Sequence, residues 1–286
     1  MLPPPRRIPP ITVAIPASTV AETPHLREKT SRLGFIGRTL ALFRVDEVII
    51  YSDLSEHQEF ELVRKILSYM ATPQYLRKAV FKISPELRFS GILPPLRTPN
   101  HPLAKHSSEL KVGEFRQGIV VGRKEEFSLL DIGVEKLAAV KGKYPLNTIL
   151  NVKILDVETS EIKAQVVSEK EIPHYWGFKV KVENAPISKV AKLGKYSLAI
   201  ATSKYGEPLE AVEDEIFSKW REARKVLVAF GSPFEGLREI LAKENLELKD
   251  VFHYTVNTVR FQGVETVRVE EAIASTLALF NYLIPG

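Results

Sequence analysis

The 286-residue chain contains no cysteine, which excludes both disulfide staples and thiolate metal sites. Its six histidines, at positions 25, 57, 101, 106, 174 and 253, show no metal-ligand spacing, so no metal is expected. Long apolar runs are missing as well: nothing approaches the ~20 residues that cross a bilayer, and no membrane association is expected. The opening MLPPPRRIPP lacks the apolar core and small-residue cleavage site of a secretion signal, which leads to the expectation of a cytoplasmic protein. Its prolines fix the backbone and withdraw amide donors, so it reads as an extended tail before the first strand.

No single sign of charge dominates. The net charge of +5 divides as +1, +3, +3 and −2 over residues 1–24, 25–96, 97–182 and 183–286. The basic excess lies in the first two thirds, where a polyanion would dock, although +3 per segment is also ordinary for a globular protein. With 44% hydrophobic residues the chain can bury a substantial core as one large domain or two modest ones.

Periodicity divides the chain in three. Residues 11–15 read as a buried strand, about 23–43 as a helix, 46–51 (DEVIIY) as a second buried strand and 56–70 as an amphipathic helix ended by Pro73. Strand, helix, strand, helix predicts an α/β domain with a parallel sheet. Between residues 97 and 182 the pattern becomes five short strands, 115–121, 127–132, 136–140, 148–157 and 161–167, separated by turn residues. Five strands without helices fit a small OB-like β-barrel. The α/β rhythm returns in 183–286, with strands at 197–202, 225–230 and 251–256, and helices at 212–223, from 233 and from about 269. The expected organisation is a barrel, 97–182, inserted between two parts of one α/β domain, 1–96 and 183–286. Three consecutive domains would instead leave each α/β piece with few strands and an uncovered sheet edge.

The densest local pattern is NTVRFQGVETVRVEEA, residues 257–272, which joins a strand to a final helix through a polar loop. Backbone groups between a strand end and a helix start have no ladder partner, so such a loop can bind something small. Upstream, VLVAFGSPFEGL (226–237) runs a strand into Gly231, after which Ser232, Pro233 and Glu235 have the spacing of a capping box. At Ala201, Thr202 and Ser203 another buried strand ends in hydroxyls.

The 257–272 stretch resembles the C-terminal pattern of the SPOUT superfamily, the knotted RNA methyltransferases, which reads N-T-x-P-x-Q-G-x-x-T-x-R-x-E-E-A. Asn257, Thr258, Gln262, Gly263, Thr266, Arg268, Glu270, Glu271 and Ala272 fit it. Arg260 stands in place of the proline, which implies a less rigid loop, and Val269 in place of a helix-capping Ser or Thr. GRTLALFRVDEVIIY (37–51), TPQYLRKAVF (72–81), LRFSGILPPLRTPNHP (87–102), EFRQGIVV (114–121), YWGFKVKV (175–182) and VAFGSPFEGL (228–237) extend the likeness. They resemble the archaeal and eukaryotic group regarded as RNA uridine-N3 methyltransferases, in which an OB-like domain interrupts the methyltransferase fold.

The resemblance implies a trefoil knot, an exception to the rule against threading, in a parallel sheet with helices on both faces. It also implies bound S-adenosyl-L-methionine, a homodimer and an RNA substrate, with uridine N3 in ribosomal RNA as the acceptor. Ribose 2′-O-methylation and a non-catalytic RNA-binding ribosome-assembly role are the rival readings. The cofactor residues it implies are Thr202, Phe230, Gly231, Gly236, Val256, Asn257, Thr258, Gln262, Gly263, Val267 and Ala272. Gly231 and Gly236 would let backbone approach the ligand closely. Asn257 could instead tie its own loop together. By the same resemblance Arg38 is the catalytic candidate, a guanidinium able to hold phosphate or steady charge on a uracil oxygen, against the plain alternative of a surface arginine paired with a carboxylate such as Asp46. On the barrel, Arg116, Arg123, Lys124, Lys141 and Lys143, near Phe115 and Phe127, are candidate RNA contacts, since OB surfaces bind single strands through cations and stacking rings. Tyr75, Arg77, Lys78, Tyr175 and Trp176 suit packing as well as RNA contact.

Overall fold

The computed structural model describes residues 3–157, 161–193 and 196–284. In chain order the elements are β1 (Ile11–Pro16), α1 (Leu26–Leu42), β2 (Glu47–Ser52), α2 (Phe60–Ala71) and the short α3 (Arg77–Val80). Five strands follow: β3 (Phe115–Lys124), β4 (Phe127–Asp131), β5 (Ala138–Lys141), β6 (Ile149–Val157) and β7 (Ile162–Val166). The chain ends with β8 (Lys179–Pro186), α4 (Ile187–Leu193), β9 (Leu198–Pro208), α5 (Leu209–Glu222), β10 (Val226–Ala229), α6 (Leu237–Ala242), β11 (Tyr254–Asn257) and α7 (Val269–Leu283).

Two compact units result. One comprises the start of the chain up to Pro5, Thr72–Ser84 and Arg97–Trp176; the other comprises Arg6–Ala71, Pro85–Leu96 and Gly177 onward. In the larger unit six parallel strands lie in the order β11-β9-β10-β1-β2-β8. Strand residues alternate between two cores because successive Cβ atoms point to opposite faces. Val13, Ile15, Val48, Ile50, Val226 and Val228 face one core, shared with Leu33, Leu40, Ile66, Ile216, Trp220 and Phe280 of α1, α2, α5 and α7. On that side the rings of Trp220 and Phe280 meet edge to face at 5.2 Å. Ala14, Ile49, Ala199, Ala201, Leu227 and Ala229 face the other, beneath Ile187 and Val190 of α4 and Leu237, Ile240 and Leu241 of α6. Burial on both faces explains why the strands read as continuous apolar runs.

In the smaller unit β3-β4-β5-β7-β6 close into a barrel, antiparallel except for the parallel pair β5–β7. Val120, Leu130, Ile132, Val140, Val152 and Ile154 fill it. Segment 72–84 belongs with this barrel because Tyr75 presses its ring on the left-handed Gly133 and donates its hydroxyl to the Gln117 carbonyl at 2.7 Å. Tyr175 and Trp176 are buried and Trp176 donates to Asn151 Oδ1, so both serve packing.

Three elements depart from the sequence expectation. β8 and α4 were not anticipated: residues 179–182 alternate Lys and Val as a half-exposed strand does, which is indistinguishable in sequence from another barrel strand. Instead β8 is an edge of the large sheet, parallel to β2, with Val180 and Val182 against the core. The helix expected from Pro233 begins at Leu237. Ser232 accepts from the amides of Phe234 and Glu235 through Oγ and donates its own amide to the Glu235 carbonyl, closing a turn that displaces the helix start.

Candidate functional site

The bulge within β9 and the loops that follow β10 and β11 meet near the carboxyl ends of these parallel strands, where open α/β sheets place ligands. A register break creates the space. β11 pairs Tyr254 with Ile200 and Thr255 with Ala201, then Val256 with Glu207 and Asn257 with Pro208. Residues 202–206 are therefore extruded from the ladder between the two pairings. The chain re-enters the ladder just after Gly206, where a Cβ would lie 2.6 Å from the Val256 carbonyl carbon and 2.8 Å from the Thr255 oxygen. Only glycine admits backbone that close.

The resulting cavity of about 360 Å³ is bounded by residues 202–205, 230–236, Glu239, residues 257–259, Gln262, residues 265–267, Val269 and Ala272. Side chains within the walls hold the loops to one another. Thr202 Oγ1 donates to the Ala229 carbonyl at 3.0 Å, joining the ends of β9 and β10. Asn257 donates to the Lys204 carbonyl at 2.9 Å and accepts from the Val259 amide at 3.0 Å. Thr258 and Thr276 share a hydroxyl bond of 2.8 Å that anchors the loop to α7. Gln262 donates to the carbonyls of Val264 and Glu265 at 2.8 and 2.9 Å, rounding the loop upon itself. Beneath the cavity Tyr51, fully buried on β2, donates to the Phe230 carbonyl at 2.7 Å. Burial first, and the nearby Asp53 carboxylate second, push the Tyr51 phenol well above its ordinary pKa, so it stays a donor.

The start of α7 resolves the Val269 departure. Arg268 is the cap residue, with its amide donating to Glu271 Oε2 at 2.9 Å, so the reach-back of Glu271 replaces a Ser or Thr cap. Val269 is then the first helical residue and points its buried side chain into the cavity wall. Arg32 of α1 grips Glu270 through Nε and Nη2 at 2.7 and 2.8 Å, with Glu22 and Thr23 on Nη1. Arg260 pairs with Glu210, a link that constrains the loop where a proline is absent.

Nine of the expected cofactor residues come together here: Thr202, Phe230, Gly231, Gly236, Asn257, Thr258, Gln262, Val267 and Ala272 all line the cavity. Two do not. Val256 is fully buried in the sheet core, and Gly263 sits exposed on the loop with open space about it. The closeness at Gly231 is explained by its own turn, since a Cβ there would meet the Glu235 oxygen and Gly236 Cα at 2.9 Å. Arg38 lies outside this cavity. Its Nη1 donates to the carbonyls of Pro95 and Leu96 at 2.9 and 2.6 Å, and Asp46 is taken by the Ile11 amide instead. Sequence reading missed Lys204, Tyr205, Phe234, Glu239 and Glu265 as cavity residues, together with Gly206 and Tyr51 that shape it. Gly206 lies beyond the strand expected at 197–202, so no sequence signal marked it.

On the barrel, Arg123, Lys124, Lys141 and Lys143 are exposed, and Arg123 donates to the Tyr144 carbonyl at 2.9 Å. Arg116 is a correction. It is fully buried, donating to Glu114 at 2.9 Å and to the Ile132 carbonyl at 3.1 Å, so it organises the barrel interior and offers RNA no surface. Phe115 packs with His174 and Trp176, whereas Phe127 is exposed. Tyr75 and Arg77 have backbone partners. Among the described residues no group of three or more His, Asp or Glu could hold a metal ion, and no helix is long and apolar enough to cross a membrane.

The chain is similar to known proteins along most of its length. The family described as "Putative RNA methyltransferase" matches residues 10–280. A mouse 28S rRNA (uridine-N(3))-methyltransferase is 33% identical over 94% of this chain and 75% of its own length, and the human protein of that name is 31% identical over 94% and 77%. An uncharacterised protein of Halobacterium salinarum is 30% identical over 93% of this chain and 96% of its own. Since the family match spans both units and the cavity, the chain belongs to this RNA methyltransferase family.

Proposed function

We propose that the protein is an S-adenosyl-L-methionine-dependent methyltransferase acting on N3 of a uridine in ribosomal RNA. The observation that carries this reading is the cavity itself: in a member of an RNA methyltransferase family, the bulge within β9 and the loops after β10 and β11 border one space. Its volume of about 360 Å³ lies in the ~300–1,000 Å³ range of small-molecule sites.

The lining suits that donor. Phe230, Val267, Val269 and Ala272 provide apolar wall, while the amides and carbonyls of 202–205 and 257–259 border the space and can meet an adenine edge and ribose. Glu239 and Glu265 add carboxylates that complement a positive ligand. The bound donor would supply an activated methyl group. What remains for the protein is positioning and proton management: uridine N3 is protonated at neutral pH, so the site must accept that proton or steady the anion left behind. A cavity carboxylate can do the first. Arg38 can do the second, and because it lies outside the cavity of its own chain, in this reading it serves the cavity of a second copy.

A homodimer is part of the proposal. Phe35 and Leu42 of α1 and Leu279 and Tyr282 of α7 expose apolar surface on two helices that pack together, a patch of the kind that marks an interface. The exposed lysines and Arg123 of the barrel, which we read as OB-type, are proposed RNA contacts, and the threading of 226–272 is proposed to form the superfamily knot. A cytoplasmic setting is part of the proposal.

Two measurements test the reading. Calorimetric titration should show S-adenosyl-L-methionine binding, and nucleoside mass spectrometry of ribosomal RNA from cells lacking the protein should show a missing N3-methyluridine. A protein without affinity for the donor would instead be a non-catalytic assembly factor, and a missing 2′-O-methyl group would move the acceptor to ribose.

A further inference from the structure

Aromatic rings on two segments that border the cavity are displayed in a way that the fold does not require. Tyr205 borders the cavity yet is 72% exposed, and Phe261, one residue before the cavity residue Gln262, is 90% exposed. Phe261 also holds a φ of 52°, in the left-handed region that strains a bulky side chain. Burial offsets neither cost, because the ring buries almost nothing. Each ring carries a cation. Lys204 Nζ stands 5.1 Å from the Tyr205 centroid, and the Arg260 guanidinium 4.6 Å from that of Phe261, where the Glu210 ion pair fixes it.

An exposed ring with a cation at its side is the arrangement that binds single-stranded nucleic acid, since every base has a π-face and every phosphate a negative charge. A second copy of the chain fits less well. A two-fold interface places the same patch on both sides, so the cations Lys204 and Arg260 would be set against the same like-charged patch of the partner, which is unfavourable. We propose that Tyr205 and Phe261 are stacking platforms for two unpaired bases of the RNA strand, which hold the acceptor nucleotide at the mouth of the cavity, with Lys204 beside the backbone phosphates. The inference rests on the methyltransferase reading of the cavity and adds the residues that present its substrate. Tyr205 stands on the loop extruded by the break in β9–β11 pairing, and Phe261 on the loop after β11, so the same two loops that bound the cavity carry the platforms.

The test uses the full-length protein, fluorescein-labelled single-stranded oligouridylate and the variants Tyr205→Ala, Phe261→Ala and Tyr205→Phe. Each alanine variant is expected to weaken oligouridylate binding roughly 5- to 150-fold, the loss that base stacking implies, while Tyr205→Phe keeps its affinity. S-adenosyl-L-methionine affinity, read by calorimetry, should stay within about twofold for Phe261→Ala, whose ring is not part of the cavity lining. Wild-type RNA affinity in both alanine variants would overturn the proposal, as would oligouridylate binding too weak to measure in the wild type. A loss of donor affinity without a loss of RNA affinity would assign the rings to the cofactor, and also overturns it. So does dissociation of a dimer in sedimentation, which would assign the rings to a second copy. If the wild type itself fails to bind the donor while the rings still govern RNA affinity, the functional reading falls and the stacking inference stands.

Discussion

The side-chain amide of Asn257 donates to the main-chain carbonyl of Lys204 at 2.9 Å, while the oxygen of the same side chain accepts from the Val259 amide at 3.0 Å. One residue thus does two jobs: it ties its own loop, as its sequence context allows, and pins that loop to the segment extruded within β9. Both walls of the cavity depend on it.

Asn257→Asp retains the acceptor and loses the donor, setting a carboxylate against the Lys204 carbonyl. Donor affinity is expected to drop roughly 2- to 10-fold, the worth of one hydrogen bond, and Asn257→Ala should fall at least as far. Calorimetry with S-adenosyl-L-methionine reads both. Unchanged affinity in the alanine variant would show that this bridge does not shape the cavity.

Gly206→Ala places a methyl group 2.6 Å from the Val256 carbonyl carbon and 2.8 Å from the Thr255 oxygen, against backbone that cannot rotate away. The expected cost is about 1–3 kcal/mol in urea denaturation, the usual penalty of overpacking, together with weaker donor binding. A wild-type midpoint would mean that the loop re-enters the sheet elsewhere.

Tyr51→Phe leaves the buried Phe230 carbonyl without its donor, and a loss of about 1–3 kcal/mol is expected near neutral pH. Because burial and Asp53 raise the folded-state pKa above the ordinary 10, this phenol's stabilising share is complete below pH 10 and declines as pH rises beyond it. The stability gap between wild type and variant should therefore narrow above pH 10. A gap that widens there contradicts the buried, un-ionised phenol.

Glu47 of β2 receives Lys181 of β8 at 2.6 Å and Lys225 ahead of β10 at 3.0 Å. Burial pushes its carboxyl up, but hydrogen bonds and charge from the two lysines prevail and leave it below the ordinary 4.5. A lowered folded-state pKa gives stability that is present above pH 4.5 and lost as the pH falls through the lower value. Chemical denaturation should find Glu47→Gln less stable than wild type at pH 7, with the difference vanishing in acid. A difference that persists undiminished at low pH would point to packing.

Arg38→Ala removes the bonds to the Pro95 and Leu96 carbonyls. If the arginine acts on the acceptor, kcat should collapse while donor affinity stays intact. Lysine in its place should restore the charge but not the paired carbonyl contacts. Unchanged turnover would confine Arg38 to tethering the 95–96 segment.

Much of this was legible in the chain. Apolar runs such as VAIP and DEVIIY declare strands buried on both faces, and the spacing of Phe60, Val63, Ile66, Leu67 and Met70 declares α2, because those patterns follow from local geometry. The NTVRFQGVETVRVEEA stretch marked the loop that came to border the cavity. Other features were hidden for physical reasons. β8 alternates Lys and Val like a barrel strand, and which sheet receives it is decided by pairing with β2, more than a hundred residues earlier. Arg116 looks like any exposed cation until the barrel closes over it and Glu114 and Ile132 supply its partners.

The sequence alone determined the class of fold, the two-part composition and the family, since burial periodicity and a 16-residue pattern are local properties of the chain. Tertiary structure decided where the cavity lies, which glycine is indispensable and which side chains reach the ligand space. Those depend on the slip between β9 and β11, whose five extruded residues have no signature of their own: a register is a relation between strands, set by the packing of both faces at once.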